Sequence, residues 1–376
     1  MCKTLFILHI LIENYAKPLN SFVMESKPLH HFLKVGILFF SIFIFGTNQR
    51  SMAQDVHFTQ FYHNPLLLNP AQTGLACNWR AGLNYRNQWA SVTTPYTTFA
   101  GYFDVPVYFN KKRNSSLGLG LSVYNDQAGD GVLTTLEINP SIAFHLALGA
   151  DNPKKYKLSI GVQPSLRNRK VDVSSLTFNA QYDGNTGEIN PALPSMEHIT
   201  NTNFSVFDLN SGIQFSAAPT DEVNFWLGGS LFHMLQPNEA FYTNASSVLP
   251  MRSMANAGAR FIINPTWSIL PNVLYMQQAT AKELNFGADF DYTYNPTAAE
   301  PFTLFAGPYY RWKDAFQVLV GGEYKGYRVG LSYDINSSTL RTASHMKGGF
   351  ELAIMYKSPC RLIPYHINKM FVCPRF

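Results

Sequence analysis

The side chains best equipped for chemistry in residues 54–376 are seven histidines, three cysteines and one acidic loop. A hydrolytic site would need a histidine converging with a serine or an aspartate. His57, His63, His145, His198, His233, His345 and His366 are scattered, and none sits in a motif with a nucleophile. His145, His198, Glu197 and Asp183 could converge in principle, but ordinary loop residues are the simpler reading. Asp183-Gly184-Asn185-Thr186-Gly187-Glu188 begins like a calcium loop and lacks the later ligands, so it reads as a solvated turn. Gly118-Leu119-Gly120 is no nucleotide fingerprint, because it lies inside a strand pattern with no helix after it; its glycines leave room in an interior. No CxxC or paired-histidine spacing accompanies Cys77, Cys360 and Cys373, which argues against a metal. Neither an enzyme nor a cofactor or metal site is expected.

The elements that carry these residues share a two-residue period. Only 14% of the chain is charged, against about 25% for a soluble domain, while 14% is aromatic. No window reaches the roughly 18 unbroken apolar residues of a spanning helix. From Tyr327, the residues Tyr327, Val329, Leu331, Tyr333 and Ile335 share one face, opposite Arg328, Gly330, Ser332, Asp334 and Asn336. The same alternation runs from Leu284, Leu117, Tyr156 and Phe350. Residues 79–357 divide into about fourteen such strands, from 79–90 to 347–357.

Residues 24–53 carry Lys27 and Lys34, then the apolar stretch Val35 to Phe45, then Ser51-Met52-Ala53. This is the layout of a secretory signal peptide, with cleavage near Ala53 and residues 1–23 as an upstream extension. The formal net charge is +5, and the leader takes Lys3, Lys17, Lys27, Lys34 and Arg50 with it against Glu13 and Glu25. The mature chain is then only mildly basic. The run Lys111-Lys112-Arg113 sits in a turn, so no nucleic-acid partner is indicated.

A soluble sandwich also alternates. Three features favour a barrel in outer-membrane lipid instead. Aromatics gather near strand ends (Trp79, Tyr85, Trp89, Tyr108, Tyr124, Tyr156, Tyr292, Tyr294, Tyr327, Tyr356), as interfacial girdles require. The opposite faces carry Gly, Ser, Asn and single charges, among them Arg80, Arg86, Asp289, Asp291, Arg328, Asp334 and Glu351. These suit a wet interior, where they could pair and stiffen it. Long connections such as 169–202 and 236–251 alternate with short ones such as Lys325. The expected fold is all-β, a transmembrane antiparallel barrel of about fourteen strands with both termini periplasmic.

That topology brings Cys77, before the first strand, near Cys360 and Cys373, after the last, within a tail 358–376. The periplasm permits disulfides, so one bridge is expected, and all three pairings stay open. Residues 54–78 form a non-strand segment. Asn64-Pro65 and Asn69-Pro70 fix φ at each proline and bias the residue before it away from helix. Such a segment is a periplasmic tail or a plug. Because about fourteen strands enclose more than side chains alone can fill, the segment is expected to enter the barrel from its periplasmic mouth.

Asn64, Pro65, Asn69, Pro70, Ala71 and Gly74, followed by Cys77 and by Tyr85-Arg86-Asn87-Gln88-Trp89, resemble the PorP/SprF family of type IX secretion proteins. Gly348-Gly349-Phe350-Glu351-Leu352, Cys373-Pro374-Arg375-Phe376 and the loop Val171 to Phe178 extend the likeness, although the ending lies far from the last strand. The resemblance implies a non-enzymatic outer-membrane barrel serving type IX secretion and gliding in Bacteroidota. It implies partners among the secretion components, a large secreted adhesin, and a periplasmic peptidoglycan-associated protein. From the residues themselves, Phe241, Tyr242, Leu249 and Met251 are the loop side chains best suited to hold a secreted partner. A channel for small solutes is the competing function that the fold alone would permit.

Overall fold

The computed structural model describes residues 55–359 except residue 93, residues 111–114, 130–131 and 149–155, and residues 198, 244, 299 and 340. The leader, Cys360 and Cys373 with the tail, His198 and the run Lys111-Lys112-Arg113 lie outside the described residues.

Alternating side chains generate fourteen long strands: β1 (Arg80–Gln88), β2 (Tyr96–Asn110), β3 (Ser115–Ala128), β4 (Leu133–Leu148), β5 (Tyr156–Lys170), β8 (Asn203–Ala217), β9 (Val223–Phe232), β10 (Arg252–Ile262), β11 (Trp267–Gln278), β12 (Ala281–Tyr294), β13 (Phe302–Arg311), β14 (Ala315–Tyr324), β15 (Tyr327–Asn336) and β16 (Lys347–Lys357). Two-residue strands β6 (Tyr182–Asp183) and β7 (Glu188–Ile189) form a separate hairpin in the loop after β5. Each long strand pairs antiparallel with its neighbours, and β1 pairs with β16, from Arg80↔Lys357 to Gln88↔Gly349, to close the barrel. Closure removes the unpaired edges that lipid does not tolerate.

The barrel is inside-out relative to a soluble domain. Along β15 the residues alternate between exposed Tyr327, Val329, Leu331, Tyr333 and Ile335 and buried Arg328, Gly330, Ser332, Asp334 and Asn336. Leu83 is 65% exposed on the outer wall, whereas Arg86, three residues on, is 2% exposed inside. Outer aromatics cluster near both rims. Trp79–Tyr356 (4.9 Å) and Trp267–Tyr292 (4.9 Å) sit at the rim where β1 begins, and Trp89–Tyr96 (5.0 Å) and Tyr310–Phe316 (4.6 Å) at the rim where it ends. Tyr124 departs from the expected girdle. It points inward, and its hydroxyl donates to Glu137 at 2.7 Å, because Val123 and not Tyr124 holds the outward phase of β3.

Connections at the rim where β1 ends include 171–202, 233–251 and 337–346; we call this the long-loop rim. Two others there, 279–280 and 312–314, are short, so three loops carry most of the asymmetry. β1 starts and β16 ends at the opposite, short-turn rim. There Asn78 Nδ2 donates to Ser358 Oγ at 3.0 Å and to the Pro359 carbonyl at 3.2 Å, and Ser358 N donates to the Trp79 carbonyl at 3.1 Å. Cys77 is disulfide-bonded. Since Asn78 already grips Pro359, peptide mapping of the non-reduced protein is expected to join Cys77 to Cys360; a Cys77–Cys373 link would contradict that expectation.

Candidate functional site: the filled barrel interior

Residues 55–75 lie within the barrel, and their path is set by three consecutive single helical turns: Phe61–His63, Pro65–Leu68 and Pro70–Gln72. Proline suits the first position of a turn because its missing N–H would be unpaired there anyway. Asn69 is extended, as a residue before proline must be, and its Oδ1 accepts from Ala71 N at 2.9 Å. Its Nδ2 donates to the wall carbonyls of Ile213 (3.0 Å) and Gly229 (3.3 Å). The asparagine thus caps its own turn and fastens it to β8 and β9.

The wall leaves room where the segment passes. A Cβ at Gly212 would lie 2.0 Å from Asn69 Oδ1, at Gly161 2.3 Å from the Pro70 carbonyl carbon, and at Gly118 2.2 Å from the Thr73 carbonyl oxygen. Gly74 has φ +64°, and a Cβ on it would meet Gly118 Cα at 2.3 Å, so both backbone conformation and contact demand glycine.

Charged side chains complete the fastening. Arg86 reaches Asp334 (2.8 Å) and Glu351 (3.1 Å), and Arg311 reaches the same Asp334 (3.1 Å). Glu351 accepts from the backbone N–H groups of Thr59 (2.7 Å) and Gln60 (3.0 Å), while Thr59 Oγ1 donates to Asp334 (2.7 Å). Tyr62 donates to Asp289 at 2.7 Å, and Arg328, stacked 3.7 Å over the Phe305 ring, donates through Nε to His63 at 3.2 Å. At the short-turn end, Gly74 N donates to Asp104 at 2.6 Å, and Arg80 pairs with Asp104 at 2.7 Å. At the long-loop end, Asp55 meets Arg167 at 3.0 Å and the Nε2 of His233, whose Nδ1 faces Asp208 at 2.6 Å. A histidine between two carboxylates donates from both ring nitrogens and is therefore an imidazolium.

Several motif residues meet here. Arg86 of the strand-one motif points in; Gln88 Oε1 accepts from Arg86 Nε at 3.4 Å; Tyr85 lies outside against Phe99. Trp89 N donates to the Gly348 carbonyl at 2.9 Å. Asn64, Pro65, Pro70 and Ala71 are buried. The loop residues behave differently from one another. Tyr242 and Met251 are exposed, Leu249 is buried, and Phe241 packs on Phe204 (5.2 Å between ring centroids) beneath Arg169, fastening its loop to the ends of β8 and β5. Asp183 Oδ1 accepts from Asn185 N at 2.9 Å in the β6–β7 turn, whereas His145 is buried in the wall with its ring nitrogens on Ser159 and the Thr73 carbonyl, so these two do not converge. Missed at the sequence level were Asp55, Glu137, Arg167, Asp208 and His233. Glu137 and Arg167 are register partners across β4 and β5, and the inward phase of both strands was their available signal.

What this constellation can do is fill and lock a lumen. Only a small cavity of about 30 Å³ remains between the segment and β10 and β11, lined in part by Phe58, Phe61, Leu68, Met254, Leu274 and Met276.

The family of type IX secretion system membrane proteins PorP/SprF matches residues 50–356, and the chain belongs to that family. Among solved structures it is similar to the toluene transporter TbuX of Ralstonia pickettii (10% identity, 77% of this chain and 92% of that one, TM-score 0.48). It is also similar to a Pseudomonas aeruginosa FadL homologue (11%, 74% and 89%, TM-score 0.44) and to Haemophilus ducreyi BamA lacking POTRA domains 1–3 (7%, 74% and 70%, TM-score 0.39). No curated protein matches the chain.

Two outcomes follow from this geometry. Removing one partner of a buried ion pair costs about 3–5 kcal/mol. Arg86→Met is therefore expected to lower the temperature at which the folded barrel loses its fast electrophoretic form, far more than Leu83→Met on the outer wall. An equal effect of the two would contradict the lock. The second concerns pH. Burial alone would lower the His233 ring, but Asp55 and Asp208 hold it up at about 9. Burial would raise the Asp55 carboxyl, but Arg167 and His233 hold it well below its ordinary value. The histidine's contribution is complete below its ordinary 6.5 and is lost as pH rises through about 9. That of Asp55 is complete above its ordinary 3.8 and is lost as pH falls. Proteolysis within residues 55–60 is expected to be slow at pH 5–7 and faster at pH 10. Equal rates would exclude His233 as a clasp.

Proposed function

We propose that this PorP/SprF protein is a closed, non-enzymatic scaffold of the type IX secretion and gliding machinery, supporting export or surface anchoring of a large secreted adhesin. The observation that carries the reading is the filled interior. A solute channel needs a continuous wet path, and residues 55–75 occupy the lumen, fastened to the wall at both ends. Fastening of this kind suits a part that bears load and holds partners, not one that passes solutes. The 171–202 and 233–251 loops face the medium in this reading, after removal of the leader near Ala53, and the short-turn rim faces the periplasm. Exposed Tyr242 and Met251 are the anchors offered to the secreted protein, while a peptidoglycan-associated protein meets the short-turn rim and the tail.

In planar bilayers the purified protein is expected to be electrically silent, and deletion of residues 55–75 to open steady ion currents. Tagged protein is expected to copurify with other secretion components and a large adhesin. Steady solute-dependent currents from the intact chain, without such copurification, would favour the channel.

A further inference from the structure

The described chain starts at the opposite rim from β1. Asp55 N donates to Oε1 of Gln278, the last residue of β11, at 2.9 Å. Its carboxylate pairs with Arg167, near the end of β5, and with His233, just after β9, and lies 3.8 Å from Arg252, the first residue of β10. All four partners belong to the long-loop rim. In between, Thr59 and Gln60 bond to Glu351 and Asn69 to the Ile213 carbonyl; Gly74 then reaches Asp104 beside Arg80, at the short-turn rim. The path is feasible. At up to about 3.3–3.6 Å per residue, the chain from Asp55 to Gly74 exceeds the roughly 25 Å apolar band of such a barrel even after three turns shorten it.

We infer that the two ends of the mature chain emerge at opposite mouths. The C-terminal tail leaves beside the start of β1, whereas the N-terminus is presented among the long loops, with Asp55 as its latch. The segment crosses the whole lumen. Its far end is continuous with β1, so the lumen can clear only if Asp55 lets go and the segment withdraws toward the short-turn mouth. A partner seated on the long loops therefore meets the N-terminus and holds the barrel shut. Which mouth faces the medium rests on the orientation proposed above; that the N-terminus shares the mouth of the long loops does not.

The test places a short epitope at one of three positions in the full chain: between Gln54 and Asp55, after Asn185 in the long loop, or after Thr297 in a short turn. Antibody binding is read on intact cells and again after the outer membrane is opened. The epitope at residue 54 is expected to follow the one at Asn185. Following the one at Thr297 would overturn the inference, as would silence in both states with signal only after denaturation. If the Asn185 epitope were hidden on intact cells, the proposed orientation would fall, and the inference would still be decided by which epitope the N-terminal one follows. Asp55→Ala is expected to lower the N-terminal signal several-fold relative to the Asn185 epitope; an unchanged signal would remove the latch.

Discussion

A charge enclosed inside a barrel must find a partner there, because too little water remains to solvate it. Everything in this lumen answers to that constraint. Arg86, Arg311 and Arg328 each touch carboxylates that also accept from the inserted segment: Glu351 from Thr59 and Gln60, Asp334 from Thr59, Asp289 from Tyr62; Arg167 meets Asp55 of the segment itself. The wall is thus electrostatically finished by its own N-terminus. A fourteen-stranded circumference would otherwise leave a gap that side chains cannot bridge.

Polar fastening and close packing act on the same residues. Asn69 is an extended residue before proline, a cap for the next turn and a donor to two wall carbonyls, and it needs the glycine at position 212 to stand where it does. Gly74 and Gly118 approach each other so closely that neither could carry a side chain. Such contacts explain why the turning segment and the smooth inner wall belong together.

The barrel was legible in the sequence because a period of two leaves a mark in every strand. All fourteen long strands lie where that period places them, and Arg80, Arg86, Asp289, Asp291, Arg328, Asp334 and Glu351 are on the inner face and paired. Tyr124 was misread because aromatic identity near a strand end was given more weight than phase. The cluster around Asp55 was not legible. Its members come from β3, β4, β5, β8, the loop after β9 and the N-terminal segment, and only the pairing of those neighbouring strands and the insertion of the segment bring them together. Leu249 looked like a loop anchor, yet its backbone N–H bonds to the Pro237 carbonyl and its side chain is buried. Loop sequence alone carries no periodicity to reveal such folding back.

The central claim is that residues 55–75 are an integral part of the barrel interior. Hydrogen exchange of the purified protein in lipid nanodiscs tests it most directly, through the amides of Thr59, Gln60 and Gly74, which donate to buried carboxylates. Protection of these amides comparable to that of the strand amides is the predicted result. Exchange as fast as in the exposed 183–187 turn would contradict the account.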